Sequence, residues 1–205
     1  MTLRDHRVVV PDIYLLRHGE TEWNRVGRIQ GQLNSDLTDL GRKQAQTQAA
    51  ILDSFDLNRI DRFCSPLSRT RATADIAFQG RPYTVDQRLM EIFCGSWEGL
   101  APAERETLYP ELSGTCTNDM DLYFKAPGGE GLARLQNRLR SFLAELTGPA
   151  IIVSHKVALI AIRGCLTGLP NTRLHELTST QGTIIRVSGG VETHLDRTSD
   201  RFSTT

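Results

Sequence analysis

Several things are scarce in this chain, and each scarcity removes a class of function. Net charge is absent: 24 Lys+Arg are matched by 24 Asp+Glu, so no global positive field draws nucleic acid or an anionic membrane surface. Any positive site must come from placement. Aromatic residues are few, at 6%. The four cysteines (Cys64, Cys94, Cys116, Cys165) form no C-x-x-C pair, so they read as free thiols of a reducing compartment rather than a disulfide framework. No apolar run approaches membrane-spanning length, and Val8 to Val10 is too short for the core of a signal peptide. The expectation is a soluble cytoplasmic protein with neither nucleic acid nor membrane as partner. No internal repeat and no low-complexity segment occurs. No H-E-x-x-H or comparable ligand spacing argues for a metal, so none is expected.

What is present is an alternation of short apolar runs with helical patterns. Ile13–Leu16 and Ala150–Val153 are uninterrupted apolar runs, as in strands buried on both faces, and Ile60–Cys64 reads as a further buried strand. Between them lie a helix opened by Thr38, a helix from Ser68 to about Phe78, a long amphipathic helix over about 131–146, and a helix from Val157 to Leu166. Pro82–Val85 is a further short strand. Gly182–Val187, Ser188-Gly189-Gly190 and Val191–Leu195 read as a C-terminal hairpin. The pattern predicts an α/β fold with a mostly parallel sheet sandwiched by helices. One domain over residues 1–205 is expected, with a core of about 12–195. Residues 94–130 form an irregular excursion carrying short helices near 101–109 and 118–125, and the polar tail 196–205 is expected to be disordered.

Three strands end alike. Leu15-Leu16 runs into Arg17-His18, Phe63-Cys64 into Ser65-Pro66-Leu67-Ser68-Arg69, and Ile152-Val153 into Ser154-His155. In a parallel sheet these ends share one edge, where α/β proteins hold ligands. Two arginines there offer forked donors to an oxyanion. A histidine there can serve as nucleophile, base or metal ligand. The start of the helix at Ser68-Arg69 adds N–H groups that favour an anion. Glu91, beside Leu89, Ile92 and Phe93, is a carboxyl near apolar residues and suits a proton donor. The chemistry that fits is metal-free phosphoryl transfer through a phosphohistidine.

The motifs that carry these residues resemble those of the histidine phosphatase superfamily, the phosphoglycerate-mutase-like proteins. L-x-R-H-G-x-T-x-x-N is matched at Leu15 to Asn24, G-R-x-Q-G at Gly27 to Gly31 and L-T-x-x-G at Leu37 to Gly41. S-P-L-x-R-[TA]-x-x-T is matched at Ser65 to Thr73, E-x-x-x-G-x-W-E-G at Glu91 to Gly99 and P-G-G-E at Pro127 to Glu130. The resemblance implies roles. His18 would be the phosphorylated nucleophile. Arg17, Arg69 and His155 would hold the phosphoryl oxygens, and Glu91 would protonate the leaving alcohol. Asn24, Gln30 and Gly31 would line the phosphate pocket, with 94–130 as a partial lid. One departure stands out: after the last strand the family has H-G, whereas this chain has His155-Lys156-Val157. Lys156 either adds charge to the pocket or points to solvent.

Mutases of the family carry E-R-x-[YH]-G after the acid position; here Glu91 is followed by Ile92-Phe93-Cys94-Gly95. Residues 100–126 hold only Arg105 and Lys125 as cations, few for gripping a second anionic group. Both features favour a phosphomonoesterase acting on a small-molecule phosphate ester. A phosphoglycerate mutase is the alternative, and a non-catalytic phospho-ligand module a third reading. The sequence names neither the substrate nor an oligomeric state. Glu98 and Trp23 read as braces of their own loops, Glu130 as an acid at a helix N-terminus, Cys94 as a packing residue, and His6, His175 and His194 as surface residues.

Overall fold

The structure, a computed structural model, describes residues 11–112, 115–116 and 118–196. Residues 1–10 lie outside them, as does the tail 196–205 expected to be disordered, apart from its first residue, Asp196.

The first half of the chain runs β1 (Ile13–Arg17), α1 (Glu22–Arg25), α2 (Asp39–Leu52), β2 (Asp61–Cys64), α3 (Ser68–Ala77) and β3 (Thr84–Val85). The excursion carries α4 (Pro102–Leu108) and α5 (Asp119–Phe124). It is followed by α6 (Gly131–Ala144), β4 (Ala150–Ser154), α7 (Lys156–Thr167) and the hairpin β5 (Ile184–Ser188) and β6 (Val191–Leu195). Sheet order is β3-β2-β4-β1-β5-β6. The first four strands run parallel; β5 pairs antiparallel with β1, and β6 with β5. This is the expected α/β sandwich, mostly parallel, with the hairpin extending the sheet.

The apolar runs of β1 and β4 are explained by cover on both faces. Ile13, Leu15, Ala150 and Ile152 pack with Leu135, Leu139 and Phe142 of α6 and with α7. Tyr14, Leu16, Ile151 and Val153 face Ile51 and Leu52 of α2 and Ala74, Ala77 and Phe78 at α3. Period-two alternation thus survives, but both sets are apolar because both sides are core. β2 departs from expectation. Only Cys64 in it is fully buried, while Asp61 is exposed and Arg62 and Phe63 are half-covered. It sits one strand from the sheet edge, and Arg62 spends its guanidinium on the carbonyls of Leu57, Ile60 and Pro82.

Local chemistry sets the helix starts next to the sheet edge. Thr38 caps α2, its hydroxyl accepting from Gly41 N at 3.0 Å. Gly41, early in that helix, is required by contact rather than by dihedral freedom. A Cβ on it would lie 2.1 Å from Glu20 O, and one on Gly19 would lie 2.2 Å from Gly41 O. The backbone after β1 and the first turn of α2 therefore touch directly, and no side chain fits between them.

Candidate active site

Because β2, β4 and β1 are adjacent and parallel, their C-terminal ends bring Ser65, His155 and His18 side by side. The ladder continues past the strands: His18 N donates to Ser154 O at 3.0 Å and Ser65 N to Val153 O at 3.1 Å. The two imidazoles meet edge to face with centroids 5.2 Å apart.

His18 is 3% exposed. Its Nδ1 lies 2.7 Å from Gly19 O. A carbonyl only accepts, so Nδ1 carries the proton and Nε2 is left with its lone pair. Burial holds the His18 imidazole well below the ordinary range, reinforced by the charges of Arg69 and Arg17. Gly19 N donates to Thr73 Oγ1 at 3.0 Å, and Gln181 Nε2 donates to His18 O at 3.1 Å, so the histidine's backbone is fixed from two sides.

His155 is fully buried and directs neither ring nitrogen at an open space. Arg69 Nε donates to its Nδ1 at 3.1 Å, which makes Nε2 the protonated nitrogen and the donor to Ser65 Oγ at 2.8 Å. Burial, then Arg69, keep it neutral as well. Arg69 is 1% exposed and spends one N–H of each terminal nitrogen on a carbonyl, Leu33 O and Gly31 O, both at 2.7 Å. Burial lowers its pKa to about 10, which still leaves it charged at neutral pH. Arg17 Nη1 donates to Ser179 O at 2.7 Å, whereas its Nε is buried without a hydrogen-bond partner among the described residues. Burial lowers its pKa too, opposed by the Glu91 carboxylate.

Glu91 has a different setting from the one its neighbours in sequence imply. Its carboxylate accepts from Val157 N at 3.2 Å and from Ala158 N and Ile92 N at 3.0 Å. It therefore sits on the first turn of α7, where free N–H groups and the helix dipole hold an anion. Of the apolar residues beside it, Leu89 and Ile92 are buried in the core, whereas Phe93 is exposed. The start of α3 is likewise not an open anion site: Ser68 N and Oγ both donate to Asn34 Oδ1 at 3.0 Å.

A cavity of about 220 Å³ is lined by Arg17, His18, Asn24, Gln30, Gly31, Arg69, Glu91 and Lys156, together with Arg28 and Tyr123. Of the nine residues singled out from sequence, eight line it; His155 lies behind, bonded to Arg69. Asn24 Oδ1 accepts from Thr21 N and Gln181 Nε2, and Gln30 Nε2 donates to Thr21 Oγ1 at 2.8 Å. Gly31 has φ +50°, and a Cβ there would strike the Glu98 carboxylate at 2.0 Å. Glu98 in turn accepts from Gln32 N and Cys94 N, the loop-bracing part expected of it. Lys156 Nζ stands 5.8 Å from the Tyr123 ring centroid, so it turns to the cavity side.

Other contributors were not legible. Arg138, on the polar side of α6, donates to Arg88 O, Met90 O and Glu91 O and pairs with Glu130 at 2.6 Å. It clamps the segment bearing Glu91. Ser65 and Gln181 orient His155 and His18, but a serine after a strand and a glutamine in a polar stretch give no signal by themselves. Glu130, Trp23 and Cys94 are structural as expected: Trp23 lies under the Arg28 guanidinium, and Cys94 is fully buried.

The two neutral histidines carry a consequence for stability. Their folded pKa values lie below the ordinary 6.5, so below that pH the unfolded chain binds more protons than the folded one. Stability is therefore present above about pH 6.5 and falls as pH drops from there toward the folded values, by up to ~1.4 kcal/mol per pH unit for each histidine. Urea midpoints at about pH 7.5 and about pH 5.5 should differ accordingly, and His18→Ala should flatten the slope. An equal slope in that variant would show that His18 takes up its proton in the fold as it does in the unfolded chain.

A bare imidazole nitrogen on a cavity lined also by the half-buried Arg17, the buried Arg69 and the Glu91 carboxylate is equipment for moving a phosphoryl group. The class is that of the histidine-dependent phosphatases and mutases. A profile of the histidine phosphatase superfamily (branch 1) matches residues 13–197, and the chain belongs to that family as a phosphatase enzyme. It is similar to phosphoserine phosphatase 1 of Hydrogenobacter thermophilus, 35% identical over 170 residues covering 77% of this chain and 76% of that one. It is also similar to the probable phosphoglycerate mutase GpmB of Serratia proteamaculans, 33% identical over 213 residues, 90% of this chain and 94% of that one. Among solved structures it resembles a putative alpha-ribazole-5'-P phosphatase of Escherichia coli with TM-score 0.77 and 26% identity, covering 91% and 95% of the two chains. Among the described residues no helix is long and apolar enough to cross a membrane.

Proposed function

We propose that the protein is a metal-independent phosphomonoesterase that works through a phosphohistidine at His18. The observation that carries this reading is the His18 tautomer. Nδ1 is committed to Gly19 O, so Nε2 is the bare nucleophile on a cavity-lining residue. Nε2 attacks phosphorus and the P–N bond forms as the ester P–O bond breaks, while the proton that the ester brings in as its monoanion passes through the Glu91 carboxylate to the departing alkoxide. Glu91 then takes a proton from water, whose oxygen attacks phosphorus. The P–N bond breaks, inorganic phosphate leaves with the proton held on Glu91, and His18 returns neutral.

The equatorial oxygens are met by Arg17 and Arg69, each donor worth ~3 kcal/mol in the transition state. Arg17 Nε, buried and unpaired, is one such donor waiting for an acceptor. Gln30 is a second. As placed, its Oε1 is buried without a partner while Thr21 Oγ1 accepts both from Gln30 Nε2 and from Asn24 N. Turning the amide by half a turn lets the Thr21 hydroxyl donate to Oε1 and aims two N–H groups at the phosphoryl oxygens. Asn24 and Gly31 complete the pocket wall. His155 acts as a positioning residue, since both its nitrogens serve Arg69 and Ser65. Tyr123 of the excursion and Lys156 face the leaving group, which fits the excursion as a partial lid over the cavity.

Rapid quenching during turnover of a radiolabelled phosphomonoester should trap label on the protein in a form stable to alkali and labile to acid. The labelled peptide should contain His18. Label stable to acid, or none at any quench time, would overturn the reading.

A further inference from the structure

The Glu91 carboxylate rests on α7, yet the chain that carries it has no regular structure: residues 90–94 lie in neither helix nor strand. Backbone of this kind has no ladder to pair with, so its covered carbonyls need donors from elsewhere. Side chains supply them at four consecutive residues. Arg88 O and Met90 O accept from Arg138 Nη1 at 2.5 and 2.8 Å, and Leu89 O accepts from Ser154 Oγ at 2.8 Å. Glu91 O accepts from Arg138 Nη2 at 3.0 Å and from Gln32 Nε2 at 3.1 Å.

Arg138 carries most of this. Its remaining N–H groups form a two-pronged pair with Glu130, Nη2 to Oε1 at 2.6 Å and Nε to Oε2 at 3.0 Å. All five donors of the guanidinium are thereby spent, and the side chain is 19% exposed. Glu130 passes the grip onward. Its Oε1 accepts from Phe93 N at 2.9 Å, and its own N donates to Phe93 O at 3.0 Å. Beyond it, Ser96 N donates to Pro127 O at 3.0 Å, and a Cβ on Gly95 would lie 2.1 Å from that oxygen. The end of the excursion is thus pressed against the segment that follows Glu91, and Arg138 bolts both to α6.

We infer that Arg138, braced by Glu130, is a positioning residue for proton transfer at Glu91. This rests on the reading of Glu91 as the proton carrier. Arg138 does not line the cavity and acts only through the backbone of residues 88–91. Glu91 is then held at both ends, its carboxylate by α7 and its main chain by Arg138. A misplacement of about 1 Å at a reacting group can cost on the order of 10² in rate. Lysine is no substitute, because its three donors radiate from one nitrogen and cannot reach three carbonyls and a carboxylate together.

The test is a double-mutant cycle read on two esters: phenyl phosphate, whose leaving oxygen needs a proton, and p-nitrophenyl phosphate, whose leaving anion is stable. Arg138→Met should lower kcat on phenyl phosphate by about tenfold or more and on p-nitrophenyl phosphate by less than about threefold, with KM little changed. In a Glu91→Gln background the same substitution should cost less than about twofold further, because no proton carrier is left to position. Thermal melts establish that each variant is folded at the assay temperature. Should Arg138→Met unfold, Arg138→Lys takes its place in the cycle with the same pattern expected. Equal losses on the two esters, or a loss in the Glu91→Gln background as large as in wild type, overturns the positioning role and leaves the phosphatase reading standing. Wild-type turnover of phenyl phosphate that Glu91→Gln leaves undiminished, or no turnover of it by wild type, overturns the reading of Glu91 and this role with it.

Discussion

Hydrolysis of p-nitrophenyl phosphate by a His18→Ala variant is expected to fall by about four orders of magnitude or more. The side chain supplies the atom that bonds to phosphorus, and no neighbour replaces it. His155, the nearest imidazole, has Nδ1 facing Arg69 and Nε2 facing Ser65, so its lone pair is already taken. The loss should appear in kcat and kcat/KM alike, since Arg17, Arg69 and Gln30 still bind the phosphoryl oxygens. EDTA should leave wild-type turnover unchanged. Retained turnover in the variant, or loss of wild-type activity on chelation, would sink the phosphohistidine mechanism. Removal of His18 should hardly unsettle the fold at neutral pH, because its backbone contacts to Ser154 O and Gln181 remain.

The second large effect is expected at Glu91. Glu91→Gln should slow hydrolysis by roughly 10²–10⁴, the usual worth of a positioned proton donor. Binding of inorganic phosphate should be little changed. Leaving-group dependence gives the sharper reading. An alcohol that leaves as a stable anion needs no proton, so p-nitrophenyl phosphate should suffer less than an alkyl phosphate. Glutamine also presents an N–H where the carboxylate accepts from Val157 N or Ala158 N. A modest drop in melting temperature is therefore expected from the lost helix-end contact. Activity equal to wild type on an alkyl phosphate would remove Glu91 as the proton donor. Equal losses on both esters would move its role to holding α7.

Much of the fold was legible because burial leaves a mark on composition. β1 and β4 read as strands because both faces are core, and Thr38 read as a cap because a helical pattern follows it, with its hydroxyl in fact accepting from Gly41 N. β2 read as more buried than it is. Ile60, Phe63 and Cys64 suggest a buried strand, yet its place near the sheet edge leaves Asp61 exposed and Arg62 half-covered. The ends of β1, β2 and β4 could be aligned on paper because parallel strands share a direction. The environment of Glu91 could not. Its sequence neighbours are apolar, but its carboxylate meets Val157 and Ala158 of α7, which lie 66 and 67 positions further on.

The sequence by itself determined which chemical groups the protein owns and on which edge they fall: a histidine and arginine after one strand, an arginine after the second, a histidine after the third. That follows from local hydrophobic patterning, which dictates strands and their ends. Only the tertiary structure decided what each group is free to do. Proton positions and lone pairs are assigned by partners distant in the chain. Gly19 O sets the nucleophilic nitrogen of His18, Arg69 and Ser65 tie up His155, and Ser179 O anchors Arg17. The cavity beside His18 is likewise a product of folding, since β1, α3 and α7, which bring Arg17, Arg69 and Lys156 to it, are far apart along the chain and meet only when packed on the sheet.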